Sequence, residues 1–113
     1  MSTPNNKQVQ NYPFLAELYQ KEQFSDALVD QGKELLLQLC VNIEAQEPAT
    51  IQEFYALTQA TTAQFNELEG LLELEGEELE ELARESIALD MVMISLFYGY
   101  EAEAETMIAN RNW

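Results

Sequence analysis

Residues 77–98 read EELEELARESIALDMVMISLFY, and this stretch decides the fold that the sequence predicts. Its first half is acidic, with apolar residues at helical spacing. Its second half is apolar on every side except at Ser95. Because a helix that is apolar all round is usually buried, we predict a helix that starts at the surface and ends as the central rod of a bundle.

Two further helices are indicated by the residues at their ends. Ser25 is a suitable N-cap for a second helix, which should end just before Pro48 because proline disfavours helical geometry in the preceding residue. Thr50 and Glu53 form a capping box that begins a third helix. Strand-like alternation of apolar and polar residues is absent from the chain.

The remaining boundaries depend on glycine and proline. We expect the third helix to pass Gly70 and end at Gly76, and the alternative is a break at Gly70. Pro13 can begin a short first helix, and residues 102–110 a short fifth one.

The predicted fold is therefore all-α, a single-domain bundle of about five helices in which the fourth is buried. A chain of 113 residues is long enough to bury a core without disulfides or metal. Residues 1–11 are polar and lack periodicity, so we expect a flexible N-terminal tail followed by a single helical domain over residues 12–113.

The charge of the chain is strongly unbalanced. It has 21 acidic residues, 5 basic residues and no histidine, for a formal net charge of −16. Such a field repels nucleic acid and anionic membranes and attracts basic proteins. We expect a basic protein partner, no nucleic acid and no membrane, and leave monomer or homodimer open. The candidate partner-binding residues are Glu67, Glu73, Glu77, Glu78 and Glu81.

The residue types present argue against most enzymes. Cys40 is the only cysteine, and in a chain without histidine neither it nor a serine has the usual general base. We expect no metal site and no cofactor; catalysis by carboxylates alone is the remaining enzymatic alternative. A cytoplasmic location is expected, because the sequence has no signal-peptide pattern and no apolar run of about 20 residues.

Asp90 is the one charged residue among the apolar residues that follow Ser86. A buried carboxylate needs a partner or a raised pKa, and its candidate partners are Lys33, Arg111, Thr58 and the tyrosine hydroxyls. Residues 30–33, DQGK, are a second polar insert in an apolar helix. The candidate buried polar site is Asp90, Lys33, Asp30 and Thr58. We favour a hydrogen bond that joins two helices over a ligand pocket.

Seven short segments carry a resemblance to known sequences. They are YPF at 12–14, VDQGK at 29–33, YALT at 55–58, FN at 65–66, ARESIALD at 83–90, YG at 98–99 and RNW at 111–113. In these the chain resembles a family of small bacterial helical proteins of unknown function. The resemblance spans nearly the whole chain from residue 11 and implies a bacterial, cytosolic, all-helical domain, with no activity and no catalytic residues to transfer.

These observations favour a protein-interaction module that is not an enzyme. Small size, strong negative charge and absent catalytic motifs fit an immunity protein, an antitoxin or another inhibitor of a basic partner. The alternative is a helical domain that binds a small molecule or a cation in a polar pocket around Asp90.

Overall fold

The computed structural model describes residues 3–22, 24–74 and 81–113. Six helical segments and no strand occur among these residues, which confirms the predicted all-α bundle. The helices are α1 Lys7–Asn11, α2 Ala16–Tyr19, α3 Asp26–Gln46, α4 Ile51–Leu74, α5 Glu81–Phe97 and α6 Ala104–Met107.

Helix α3 begins and ends where the sequence predicts. The Ser25 hydroxyl accepts a hydrogen bond from the backbone N–H of Leu28 at 3.2 Å, as an N-cap does. After the last helical residue, Glu47 takes a left-handed conformation with a φ of 45°. Its N–H donates to the carbonyl of Ile43 at 2.9 Å, and Pro48 then prevents the helix from continuing.

Helix α4 begins with the predicted capping box, except that the Glu53 carboxylate bonds to the N–H of Ala49 rather than to that of Thr50. The Thr50 hydroxyl accepts from the N–H of Glu53 at 3.2 Å, while the Glu53 carboxylate accepts from the N–H of Ala49 at 2.9 Å. The helix continues through Gly70 to Leu74, so the alternative break at Gly70 is wrong. The predicted end at Gly76 lies outside the described residues.

The N-terminal segment differs from the flexible tail expected over residues 1–11, because residues 7–11 form α1. The Asn6 side chain caps this helix by accepting hydrogen bonds from two backbone N–H groups, and Val9 is only 1% exposed. One apolar residue in a polar segment gives no periodicity, so the sequence pattern did not reveal that this residue is buried. Helix α2 starts at Ala16 rather than Pro13, because Leu15 has a left-handed φ of 56°.

Helix α5 is the buried fourth helix of the prediction, but its burial is confined to one side. Leu89 and Leu96 are 58% and 62% exposed, in contrast to the expected burial all round. The buried side consists of Ala83, Ser86, Ile87, Asp90, Met91, Ile94 and Ser95. Three polar residues therefore face the core while two leucines face outward. Helix α6 is shorter than predicted and spans only Ala104–Met107.

Replacing Val9 by alanine tests whether α1 is part of the fold. Because the side chain is buried, we expect Val9→Ala to lower the free energy of unfolding by about 2 kcal/mol in urea denaturation. The matched control is Gln8→Ala on the exposed side of the same helix, which should change it by less than about 0.5 kcal/mol. Equal small effects of both changes would mean that this segment contributes nothing to stability.

Candidate functional site

The carboxylate of Asp90 is buried, with 4% exposure, and both of its oxygens are hydrogen-bonded. The hydroxyl of Tyr12 donates to Oδ1 at 2.7 Å, and the backbone N–H of Leu15 donates to Oδ2 at 2.7 Å. Both donors belong to the segment between α1 and α2. Of the partner types expected from the sequence, a tyrosine hydroxyl is therefore the one that the structure shows.

The electrostatics of this site follow from its burial. Desolvation raises the pKa of Asp90, while the hydrogen bonds from Tyr12 and Leu15 act in the opposite direction and leave it above its ordinary value. Desolvation and the hydrogen bond to Asp90 also raise the pKa of Tyr12 to about 12. The tyrosine hydroxyl is therefore a stable donor at neutral pH.

Asp90 also fixes an unusual backbone conformation. Leu15 has a φ of 56°, which for a residue with a branched side chain costs on the order of 1–2 kcal/mol. Its side chain lies against α3 at Gly32, where an added Cβ would be 3.0 Å from Leu15 Cδ1. The hydrogen bond from the Leu15 N–H to Asp90 holds this conformation and thereby links α5 to α3 through the turn before α2.

The other residues of the predicted polar site have separate partners. Thr58 is buried and donates to the carbonyl of Tyr55 at 3.0 Å. Asp30 is exposed and accepts from the hydroxyl of Tyr19. Lys33 is half-buried and makes no ion pair with the acidic residues in the described part of the chain. The observed hydrogen bonds and ion pairs join none of these three residues to Asp90.

A second carboxylate site, which the sequence did not indicate, lies at Glu44. Its side chain accepts from the N–H groups of Asn5 and Asn6 at 2.7 and 3.1 Å and from the hydroxyl of Tyr98. Partial burial acts to raise the pKa of Glu44, but these three donors outweigh it and hold the pKa below its ordinary value. The side chain of Asn6 also donates to the carbonyl of Phe97 at 3.0 Å. This site therefore fixes the N-terminal segment to α3 and α5, and it suggests no chemistry.

The predicted acidic surface is described in part. Glu67 and Glu81 are exposed, whereas the side chain of Glu73 and the whole of Glu77 and Glu78 lie outside the described residues. Glu69, in the same acidic run, is 5% exposed and so belongs to the interior. The carboxylates of this run are therefore not all solvated.

An aligned set of exposed side chains lies on α5. Glu81, Glu85, Leu89, Val92 and Leu96 follow one another at spacings of three or four residues, and we call this strip the outer face of α5. All five are exposed except Val92, which is partly buried. The strip is acidic near the start of the helix and apolar near its end. The sequence contains this spacing. Because the second half of α5 has apolar residues on nearly every side, however, the hydropathy pattern does not distinguish the exposed strip from the buried one.

The described residues show neither of two other kinds of site. No group of three or more cysteine, aspartate and glutamate side chains in this part of the chain is placed to hold a metal ion. None of its helices combines the length and the apolar character that crossing a membrane requires.

The fold and these sites define a small all-α protein with a hydrogen-bonded carboxylate in its core. A family model covers residues 8–113, and the chain belongs to this family of unknown function, DUF5713. The predicted resemblance to a helical family of unknown function is thereby confirmed. No curated protein and no solved structure matches the chain.

Removing the Tyr12 hydroxyl tests the Asp90 site. Tyr12→Phe leaves one oxygen of a buried carboxylate without its donor, so we expect the free energy of unfolding to fall by about 2 kcal/mol. The matched control is Tyr19→Phe, which removes a hydroxyl from the exposed carboxylate of Asp30 and should cost less than about 0.5 kcal/mol. If chemical denaturation gave similar values for both variants, burial would not strengthen the Asp90 hydrogen bond.

Asp90→Asn tests the pH dependence of the same site. Because the folded-state pKa lies above the unfolded value near 3.8, Asp90 contributes most stability below that value. This contribution is lost as the pH rises through the folded pKa. Wild type should therefore gain stability relative to Asp90→Asn as the pH falls from about 7 to about 4, measured by urea unfolding of both proteins. A difference that stays constant or shrinks on acidification would contradict the raised pKa.

Proposed function

We propose that this protein is an interaction module that binds a basic protein through the outer face of α5. The observation that carries the proposal is the exposure of Leu89 and Leu96, at 58% and 62%, on the same face as Glu81 and Glu85. Stable interfaces combine a desolvated apolar centre with a polar rim. The outer face supplies apolar anchors at one end and carboxylates at the other.

The charge of the chain supports a basic partner. A second copy would bring a further net charge of −16 to the interface, whereas lysine and arginine side chains would face the carboxylates of Glu81 and Glu85 favourably. A toxin neutralised by its immunity protein or antitoxin, or another basic protein held by an inhibitor, has this complementarity. Together with the family resemblance, the buried free thiol supports the cytoplasm of a bacterium as its location.

Two observations favour binding over catalysis. Cys40 is fully buried, and desolvation raises its pKa to about 12, so its thiol is not a nucleophile at neutral pH. The oxygens of Asp90 are both engaged by donors from the protein itself. Because both oxygens already have donors, the alternative of a ligand pocket around Asp90 has less support.

Affinity capture from the source cells tests the proposed function. The bait is the wild-type chain at low salt, compared with Leu89→Ser/Leu96→Ser and with Glu81→Gln/Glu85→Gln. We expect one basic protein to be enriched by wild type and to fall about tenfold in each double variant. Added salt should weaken its capture by wild type. If the captured protein is a toxin, co-expression with wild type should protect cells and co-expression with the double variants should not.

The control variant removes two charges from another surface. Glu22→Gln/Glu34→Gln alters exposed residues before and within α3, which packs on α2, α4 and α5, and should capture the partner as wild type does. Circular dichroism must show that all variants are folded. Equal capture by the outer-face variants and wild type, or dimerisation of the chain through Leu89 and Leu96 in sedimentation, would refute the proposal.

A further inference from the structure

Both arginines of the chain line one groove between α5 and the C-terminal segment. Arg84 lies on α5, and Arg111 and Trp113 follow α6; the groove encloses about 550 Å³. Its other lining residues are Glu81, Glu85, Ala88, Glu105 and Ile108. In a chain with only five basic residues, the convergence of both guanidinium groups beside the single tryptophan singles out this groove.

Two residues that line this groove each carry a buried donor with no acceptor among the described residues. The Nε atom of Arg84 and the indole Nε1 of Trp113 are buried and make no hydrogen bond with the described residues. Trp113 as a whole is 8% exposed. Both groups can only donate, and a buried donor without an acceptor is unfavourable. A ligand that pairs with both must therefore present acceptor oxygens.

The position of Arg111 adds positive charge to the same place. Its guanidinium carbon lies 5.7 Å from the centre of the Trp113 ring, and its Nη2 lies 3.7 Å from a carboxylate oxygen of Glu105. The ring and the carboxylate together orient the guanidinium at the groove. Two arginines and an indole N–H are a suitable set for a carboxylate group.

The acidic residues of the groove restrict the class of ligand. Glu81, Glu85 and Glu105 are all exposed and outnumber the two arginines. A doubly charged phosphate would be repelled by these carboxylates more strongly than a singly charged carboxylate would. A molecule that also carries an ammonium group would be attracted to them.

We propose that this groove binds a small zwitterion of the amino-acid class. Its carboxylate accepts hydrogen bonds from Arg84 and Trp113 beside the charge of Arg111, and its ammonium group faces the glutamates. The volume of the groove is of the size that small-molecule sites have. The groove shares Glu81 and Glu85 with the outer face of α5. It differs from that face because it requires the C-terminal segment and not Leu89 or Leu96.

The fluorescence of Trp113 tests the proposal directly, because it is the only tryptophan in the chain. The purified protein is titrated with each L-amino acid except tryptophan and tyrosine, whose own emission interferes, and separately with acetate and with inorganic phosphate. At least one amino acid should shift the emission saturably and raise the thermal unfolding temperature. Acetate should bind more weakly, and phosphate should produce no shift.

Three variants connect the signal to the groove. Arg84→Gln and Arg111→Gln should each weaken the binding of that amino acid by about tenfold or more. Lys33→Gln removes a positive charge outside the groove and should bind as wild type does. Arg111 is on the surface, so its variant keeps the test valid if Arg84→Gln does not fold. No shift with any amino acid, a shift of equal size with phosphate, or wild-type binding by Arg111→Gln would overturn the proposal.

Discussion

The carboxylate of Asp90 is the constraint on which the packing of the bundle depends. It accepts hydrogen bonds from Tyr12 and from the backbone of Leu15. Both residues are distant from Asp90 in sequence and precede the long helices α3 and α4. Because Leu15 is held in a left-handed conformation, its side chain reaches the surface of α3 where Gly32 has no Cβ. A single buried acid thus positions a strained turn, and the turn positions two helices against each other. The interior carboxylate costs desolvation, and this network offsets that cost with two donors.

Helix α5 shows that polarity alone does not predict which side of a helix is buried. Ser95 is 1% exposed and donates to the carbonyl of Val92 at 2.6 Å, so its hydroxyl is satisfied within the helix itself. Asp90 is satisfied by the segment before α2. Small or fully bonded polar residues can therefore occupy the packed side, and Leu89 and Leu96 are left on the open side. This arrangement provides an apolar surface on a protein whose charge otherwise keeps it solvated.

The parts of this structure that sequence predicts are those determined by neighbouring residues. The N-cap at Ser25 and the capping box at Thr50 act over three residues, and both helices begin where these signals stand. Asp90 interrupts an apolar run, which predicts a buried carboxylate, and the tyrosine hydroxyls are among the partners that the sequence offers. The burial of Val9 and the exposure of Leu89 depend on how distant segments meet, which local periodicity does not contain. The same limit applies to the groove at the C-terminal segment, whose two arginines come together only in the folded chain.

The buried thiol of Cys40 makes the opening of this bundle observable. It lies on the inner side of α3 with no exposed surface, and desolvation raises its pKa to about 12. In the closed bundle the sulfur is therefore shielded from solvent and protonated. Because alkylation requires an accessible thiolate, it occurs only when α3 separates from its neighbours. Since the chain has no other cysteine, each alkylated molecule records one such separation. The rate of thiol modification in the native protein therefore measures how often α3 separates from its neighbours.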